Sequence, residues 1–472
     1  MKSADPLLAA WDETLARKGD QPAIFSTTGE VLRTFRTIEE QAQAFSKIET
    51  FRAGDVLAVQ IGNHEDWPSI MIAGLRQRAV ILPLEQSIST QQRDAALEVC
   101  GATAVVSAGP SDAPPEIFRL RTADSTAKWG ANLPVLLKLT SGTTDIPRAI
   151  QFRSEQLLAD CNQICETMGI SDADLNFGVI PISHSYGFSN LLTPLIARGV
   201  PMVLSRDRVP RAVLADLAHT NATVFPGMPL FYQSFCEMET VPLLSKLRLC
   251  ISAGAPLSLS IAKKFREKFR LPIHSFYGAS ECGGICYDRE AADESEGFVG
   301  QPMKGVDVEI VDPAAASSQI RVRSAAVGNG YFPEADEGKL GNGNFLPDDL
   351  LAHTASGFKI VGRISDVINV AGKKLNPAEV EAQLLRFAGV RQAVVFGRQS
   401  AFRNEEVTAC VVPNVDPATG HTTTLEESDL LEFCRAHLSG WQTPKRIFIV
   451  NEIPTTERGK ISRRELARRF PA

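Results

Sequence analysis

Four short segments carry residue types that could do chemistry. Residues 139–148 read Leu-Thr-Ser-Gly-Thr-Thr-Asp-Ile-Pro-Arg and follow an apolar run that reads as a strand. Hydroxyls of Thr140, Ser141, Thr143 and Thr144 surround Gly142. Hydroxyls and backbone N–H groups of such a loop can converge on one anion, and phosphate is the anion it suits. Arg148 adds positive charge. The Gly-Lys-Ser/Thr ending of the common nucleotide loop is missing, which argues against a kinase or GTPase. A polar Ser/Thr-rich turn would carry the same letters. At 275–281, Ser-Phe-Tyr-Gly-Ala-Ser-Glu ends a buried-strand pattern. Ligands of open α/β sheets bind beyond the carboxyl ends of strands. There Tyr277 can stack on a base, beside Gly278 and Ser280, and Glu281 can hold Mg2+ through oxygen. The plain alternative is a glycine turn with a surface Glu. Asp349, in Pro-Asp-Asp-Leu at 347–350, suits ribose hydroxyls, and Arg363 suits a ribose or phosphate oxygen. Taken alone, they also read as a surface salt bridge. At 454–466, Gly459 precedes Lys460 in a polar loop ahead of a helix. By itself that segment reads as a basic tail.

The elements that must position these segments alternate. Apolar residues recur at helical spacing over 6–17, 38–48 (with Thr37 as its N-cap) and 67–75. Strand patterns stand at 23–25, 56–61 and 79–84, and further on at 223–225, 247–252 and 272–277. This predicts an α/β fold, with parallel sheets covered by helices. From 297 the texture changes to short strands among Gly, Pro and Asn, which suits a small antiparallel or β-barrel-like module. Beyond Gly362-Arg363, helices at 377–387, 425–438 and 462–469 alternate with strands at 367–370, 392–396, 407–412 and 446–450. That stretch predicts a separate small α+β domain.

A chain of 472 residues exceeds one hydrophobic core, so two or more domains are expected. Apolar residues at 44% and charged residues at 22% exclude a disordered or collagen-like protein. With net charge −6 and no basic block, neither nucleic acid nor a membrane surface is an expected partner. Asp5, Asp12 and Glu13 stand where a signal peptide would be apolar, and no apolar run nears the ~20 residues of a membrane helix. A soluble, cytoplasmic protein is expected. Cys161/Cys165 and Cys282/Cys286 have no second pair at zinc spacing, so the nine cysteines are expected to be reduced thiols.

The order and spacing of the four segments resemble the adenylate-forming superfamily: acyl- and aryl-CoA synthetases, peptide-synthetase adenylation domains and firefly luciferase. Further segments match. Pro-Ile-Ser-His-Ser-Tyr-Gly at 181–187 resembles the family's gate segment, with His184 as gate; Ser-Ala-Gly-Ala-Pro at 252–256 resembles its adenine-binding strand end, with Gly254, Ala255 and Pro256; residues 366–381 resemble the stretch after its hinge. The resemblance implies a large domain over 1–363 that holds acid and ATP, a hinge at 364–366 centred on Ser365, and a mobile domain over 367–472 carrying Lys460. In the first half-reaction a carboxylate attacks the α-phosphate and pyrophosphate leaves; in the second a thiol attacks the acyl-adenylate and AMP leaves. Lys460, Arg148, Mg2+ and the loop donors would neutralise the two anions that meet. Gly372 and Lys373 would line the route of the thiol, with coenzyme A as the expected acceptor and a carrier protein as the alternative. Tyr186, Phe188, Phe225, Met228 and Ile285 are candidate acid-pocket walls, each equally readable as ordinary core. No carboxylate at 184–191 could pair an ammonium, which disfavours amino acids and leaves aryl or aliphatic acids. The chain departs from the family pattern at Asp145 (usually Gly), Arg148-Ala149 (usually Lys-Gly), Pro347-Asp348 (usually Thr-Gly) and Asn369 (often Lys). Those departures keep open a nucleotide-binding protein without catalysis.

Overall fold

The computed structural model describes residues 5–109, 114–120, 129, 133–140, 147–291, 295–400, 404–415, 421–454 and 463–470. The chain forms two compact units. The first comprises Met1–Val311, Ile320–Pro347 and Thr354–Lys359; the second comprises Asp312–Gln319, Asp348–His353 and Ile360–Ala472.

The first unit holds two sheets. In one, Val56–Gln60 pairs in parallel with Val80–Pro83 and Ala102–Ser107, and Ile81 pairs in parallel with Leu136. Val80–Pro83 is buried throughout, as its unbroken apolar run requires when both faces are covered. In the other sheet, Pro22–Phe25, Met202–Leu204, Asn176–Gly178, Val224–Gly227, Leu249–Ser252 and Ile273–Ala279 run parallel in that order. Ile273–Ala279 then folds back antiparallel onto Gly283–Tyr287. The strands expected from 297 onward, Val306–Ile310 and its neighbours, pair antiparallel, and among the described residues no closed barrel is shown.

Local chemistry fixes the helix starts. Asp5 accepts the backbone N–H groups of Leu7 and Leu8 at 3.0 Å, capping Pro6–Lys18. The helix read from Thr37 begins earlier, at Phe35. Thr34 is its N-cap, and Thr37 closes a reciprocal box by accepting the Thr34 N–H at 2.8 Å. No helix among the described residues is long and apolar enough to cross a membrane.

In the second unit, Val390–Ser400 and Asn404–Pro413 form a long antiparallel pair, flanked by Ile368–Val370 and Arg446–Ile449. Side chains alternate across it. Val395, Val407, Ala409 and Val411 pack with Val380 and Leu384 of the helix Pro377–Leu384 and with Leu430 and Cys434 of the helix Glu427–His437. Val394, Phe396, Cys410 and Val412 face the other way and pack with Leu466 of the helix Arg463–Arg469. Both faces are thereby covered.

One buried carboxylate ties the parallel sheet of the first unit to the helix Ser154–Met168. Asp174 accepts from Arg248 Nε and Nη2 at 2.7 and 2.6 Å, from the Ser171 N–H at 2.9 Å and from the Thr223 hydroxyl at 2.9 Å. Arg248 also donates to the Gly169 carbonyl at 2.7 Å. Burial alone would raise the Asp174 carboxyl, but these donors outweigh it and hold the group below the usual carboxylate range. Arg248→Ala is expected to destabilise the protein by about 1–3 kcal/mol, below a fully buried pair because the guanidinium is half-exposed. A depressed carboxyl contributes stability above its unfolded pKa of about 3.9 and loses it as pH falls through the folded value. Denaturant unfolding should therefore show the gap between wild type and Arg248→Ala at pH 7 and its shrinkage below about pH 4.

Candidate active site

The parallel strands of the first unit deliver the site at their carboxyl ends. Beyond Leu249–Ser252 the chain turns at Gly254, whose φ of +85° is left-handed, and Ala255 and Pro256 follow, exposed. A Cβ on Gly254 would lie 3.9 Å from Met228 Cγ, so Met228 borders this turn. Phe225, one strand further, is fully buried among the rings of Phe177, Phe231, Tyr232 and Phe235. Tyr277 and Ile285 are buried on the two antiparallel strands that follow.

Between those strands the backbone approach is too close for side chains. A Cβ on Gly278 would sit 2.6 Å from the Gly283 carbonyl oxygen, and one on Gly283 would sit 1.9 Å from Asp160 Oδ1. Ser280 and Glu281 occupy the tip of this turn. Ser185 Oγ donates to Ser280 Oγ at 2.9 Å, which joins the turn to the segment containing His184. His184 Nδ1 accepts the Tyr186 N–H at 3.3 Å and caps a short helix. Tyr186 directs its hydroxyl toward the Gly227 and Ile251 carbonyls, at 3.4 Å from each, and burial pushes this phenol well above its ordinary value. Phe188 is buried at the start of a π-helical turn, Phe188–Leu192.

Glu281 accepts the Tyr331 hydroxyl at 3.1 Å. Burial, and then the charge of Glu281, push that phenol far above its usual range, so it stays a donor. The Arg148 guanidinium lies 4.2 Å from the centre of the Tyr331 ring. Thr140 N–H and Oγ1 both donate to the Arg148 carbonyl, at 2.8 and 3.2 Å, which closes the base of the 140–148 loop. Thr140, Arg148, Ser280 and Glu281 are thus connected through Tyr331 and one another's backbone. Nothing in the sequence reading marked Tyr331: it is one aromatic residue in a glycine-rich stretch. Its register opposite Ile150, on the strand just after the loop, is what brings it to the site. Ser141, Gly142, Thr143, Thr144, Asp145 and Lys460 lie outside the described residues.

In the second unit, Arg363 Nε donates to Asp349 Oδ1 at 2.6 Å, a direct ion pair with Asp349 buried and the arginine side chain 54% exposed. Ser365 lies in the 3-10 turn Ile364–Asp366. Gly372, at φ +87°, donates its N–H to Asn369 Oδ1 at 3.0 Å, and Lys373 Nζ stands 5.2 Å from the centre of the Trp441 ring. Among the described residues no three His, Cys, Asp or Glu side chains gather as a metal site.

Comparison with known proteins gives these features a context. Residues 11–332 match the family described as AMP-binding enzyme, and residues 379–460 match the AMP-binding enzyme C-terminal domain. A probable CoA ligase of Humulus lupulus is 27% identical over 89% of this chain and 87% of its own length. A 3,4-dihydroxybenzoate–[aryl-carrier protein] ligase of Bacillus anthracis is 27% identical over 71% of this chain and 74% of its own. In fold, ATP-bound MatB from Rhodopseudomonas palustris superposes with a TM-score of 0.84 at 23% identity, covering 98% of both chains. A mixed α/β chain with a large N-terminal and a small C-terminal domain, matched over most of its length, this protein belongs to the AMP-binding enzyme family.

Proposed function

We propose that the protein joins a carboxylic acid to AMP at the expense of ATP and then transfers the acyl group to a thiol, with coenzyme A as the acceptor. The observation that carries this reading is the connected set Thr140, Arg148, Tyr331, Glu281, Ser280 and Ser185. It joins a phosphate-type loop, a cation and a carboxylate beside the segment bearing His184. The chemical problem of the first step is repulsion between a carboxylate and a triphosphate. Arg148 and Lys460 supply fixed positive charge, and the hydroxyls and N–H groups of 140–144 supply donors. Glu281 suits Mg2+: this ion takes one or two protein carboxylates and completes its shell with phosphate oxygens and water. Bound there, Mg2+ would neutralise charge developing on the phosphates. Asp349 and Arg363 are assigned to the ribose, Gly254–Pro256 and Tyr277–Gly278 to the adenine. Tyr186, Phe188, Met228 and Ile285, with Phe225 behind them, suit an aryl or aliphatic acid. Ser365 is the residue about which the small domain turns between the two steps, bringing Gly372 and Lys373 to the thiol.

ATP–pyrophosphate exchange over a panel of aryl, aliphatic and amino acids tests the reading. Exchange stimulated by at least one aryl or aliphatic acid supports it, and a protein that binds ATP yet exchanges with none is a nucleotide-binding protein. The carrier-protein relative makes the acceptor a second question. Thioester formation on free coenzyme A is expected; saturable loading of a holo carrier protein with none on coenzyme A would reverse that choice.

Two substitutions separate roles within the site. Lys460→Ala should lower adenylation by about 10²–10³-fold, the scale of one preorganised transition-state contact, and spare thioester formation from supplied acyl-adenylate. Equal loss in both steps would remove Lys460 from the adenylation machinery. Tyr331→Phe keeps the ring beneath Arg148 and deletes the donor to Glu281. Exchange turnover should fall roughly 10- to 100-fold, the worth of one hydrogen bond to a charged group, with ATP affinity little changed. A large loss of ATP affinity with unchanged turnover would place the hydroxyl in binding instead.

A further inference from the structure

Beneath the Glu281 turn lie two buried charges that the proposed reaction does not use. Lys138 is on the strand Leu136–Leu139, two residues before Thr140, and is 6% exposed. Its Nζ stands 4.8 and 5.5 Å from the ring centres of Phe152 and Phe188. Among the described residues it makes no ion pair within 4 Å; the carboxylate acting on it most strongly is Asp160, with Glu281 acting more weakly. Asp160, on the helix Ser154–Met168, is 5% exposed. Its Oδ1 accepts the Gly284 N–H at 3.1 Å, and the Ser189 hydroxyl also stabilises the carboxylate. Burial pulls Lys138 down and pushes Asp160 up, and each charge works against that effect on the other. Either charge alone would be costly to bury, so the two are retained together.

What the pair touches gives it a task. Gly283 and Gly284 follow Glu281 by two and three residues, and the carboxylate of Asp160 is packed so hard against Gly283 that a Cβ there would lie 1.9 Å from Oδ1. Ser189 follows Phe188 in the π-helical turn. Lys138 belongs to the strand that enters the 140–148 loop. We propose that Lys138 and Asp160 are a buried positioning pair: Asp160 fixes the Glu281 turn and the Phe188 segment through Gly284 and Ser189, and Lys138 supplies the compensating charge from the phosphate-loop strand. The role assigned to Glu281 rests on the adenylation reading above; the pairing itself does not.

A double-mutant cycle tests both parts. Lys138→Met and Asp160→Asn are each expected to lower the unfolding midpoint and cut exchange turnover roughly 10- to 100-fold, the scale of a small misplacement of catalytic groups. The Lys138→Met/Asp160→Asn double variant is neutral and keeps an acceptor for Gly284; it should regain stability and return to within about fivefold of wild-type turnover, because contacting sites couple. Lys138→Met/Asp160→Ala is also neutral but lacks that acceptor. It should regain part of the stability while turnover stays low and the Mg2+ concentration for half-maximal rate rises several-fold, a readout that a merely structural role leaves in place. Losses that simply multiply in the Asn double variant would overturn the pairing. Equal turnover and Mg2+ dependence in the Asn and Ala double variants would overturn the positioning role. If the single variants do not fold, folding of the Asn double variant supports the pairing and its failure to fold overturns it, and the comparison of the two neutral doubles tests the positioning role. Should wild type exchange with no acid, the function assigned above fails, and the thermal cycle still decides the pair.

Discussion

The backbone contact between Gly278 and Gly283 governs how the first unit presents its chemistry. With no Cβ at either position, two antiparallel strands come close enough that a side chain at Gly278 would collide with the Gly283 carbonyl. The turn between them therefore has one path, and Ser280 and Glu281 leave it in fixed directions. Gly283 also needs its left-handed φ of +69°, which other residues adopt only at a cost. From this turn the contacts run outward: Ser280 to Ser185, Glu281 to Tyr331, and Gly284 to Asp160. In the role proposed for it, Glu281 gains from such rigidity, because an electrostatic site that needs no reorganisation loses little of its effect at the moment of reaction.

The second unit solves a different problem. Its central strands are covered on both faces, so their alternating residues are apolar on both sides, and Val394 through Phe396 read as one continuous hydrophobic run. Arg463 adds a polar tie: its guanidinium reaches Asp366 Oδ2 at 2.5 Å and Glu381 Oε1 at 2.8 Å, and its Nε reaches the Val395 carbonyl at 2.9 Å. One side chain thus connects the 3-10 turn Ile364–Asp366, the helix Pro377–Leu384 and the central strand. A small domain held together this way has its own core and its own electrostatic clasp.

Most elements were legible because they rest on local signals. Apolar runs gave the parallel strands, helical spacing gave the covering helices, and glycine with hydroxyl and carboxylate neighbours gave the turn at Gly278–Glu281. The start of the second helix was misplaced because both Thr34 and Thr37 have cap-forming hydroxyls, and only their reciprocal hydrogen bonds tell N-cap from third residue. Closure of the strands beyond 297 could not be read, since closure depends on tilt and stagger that short, glycine-spaced strands do not encode. Tyr331, Lys138 and Asp160 escaped for a shared reason. Each acts through partners far away in sequence, and a lone Tyr, Lys or Asp among apolar residues carries no spacing that would reveal them.

Arg148 shows how a departure from a family pattern can be absorbed. Where the family pattern that the sequence resembles has lysine, the Arg148 guanidinium lies over the Tyr331 ring, 4.2 Å from its centre, and donates through Nη2 to the Glu334 carbonyl at 3.3 Å. A lysine ammonium can also sit over a ring, as Lys138 and Lys373 do here, but it lacks the planar fork of donors that a guanidinium presents. The same tyrosine spends its hydroxyl on Glu281, so its ring holds a cation while its oxygen donates to an anion. A ring contact and a hydrogen bond thereby tie Arg148 and Glu281 to the same side chain. Held on one side chain, a cation and a carboxylate keep a fixed spacing, so neither has to be repositioned when a charged ligand arrives.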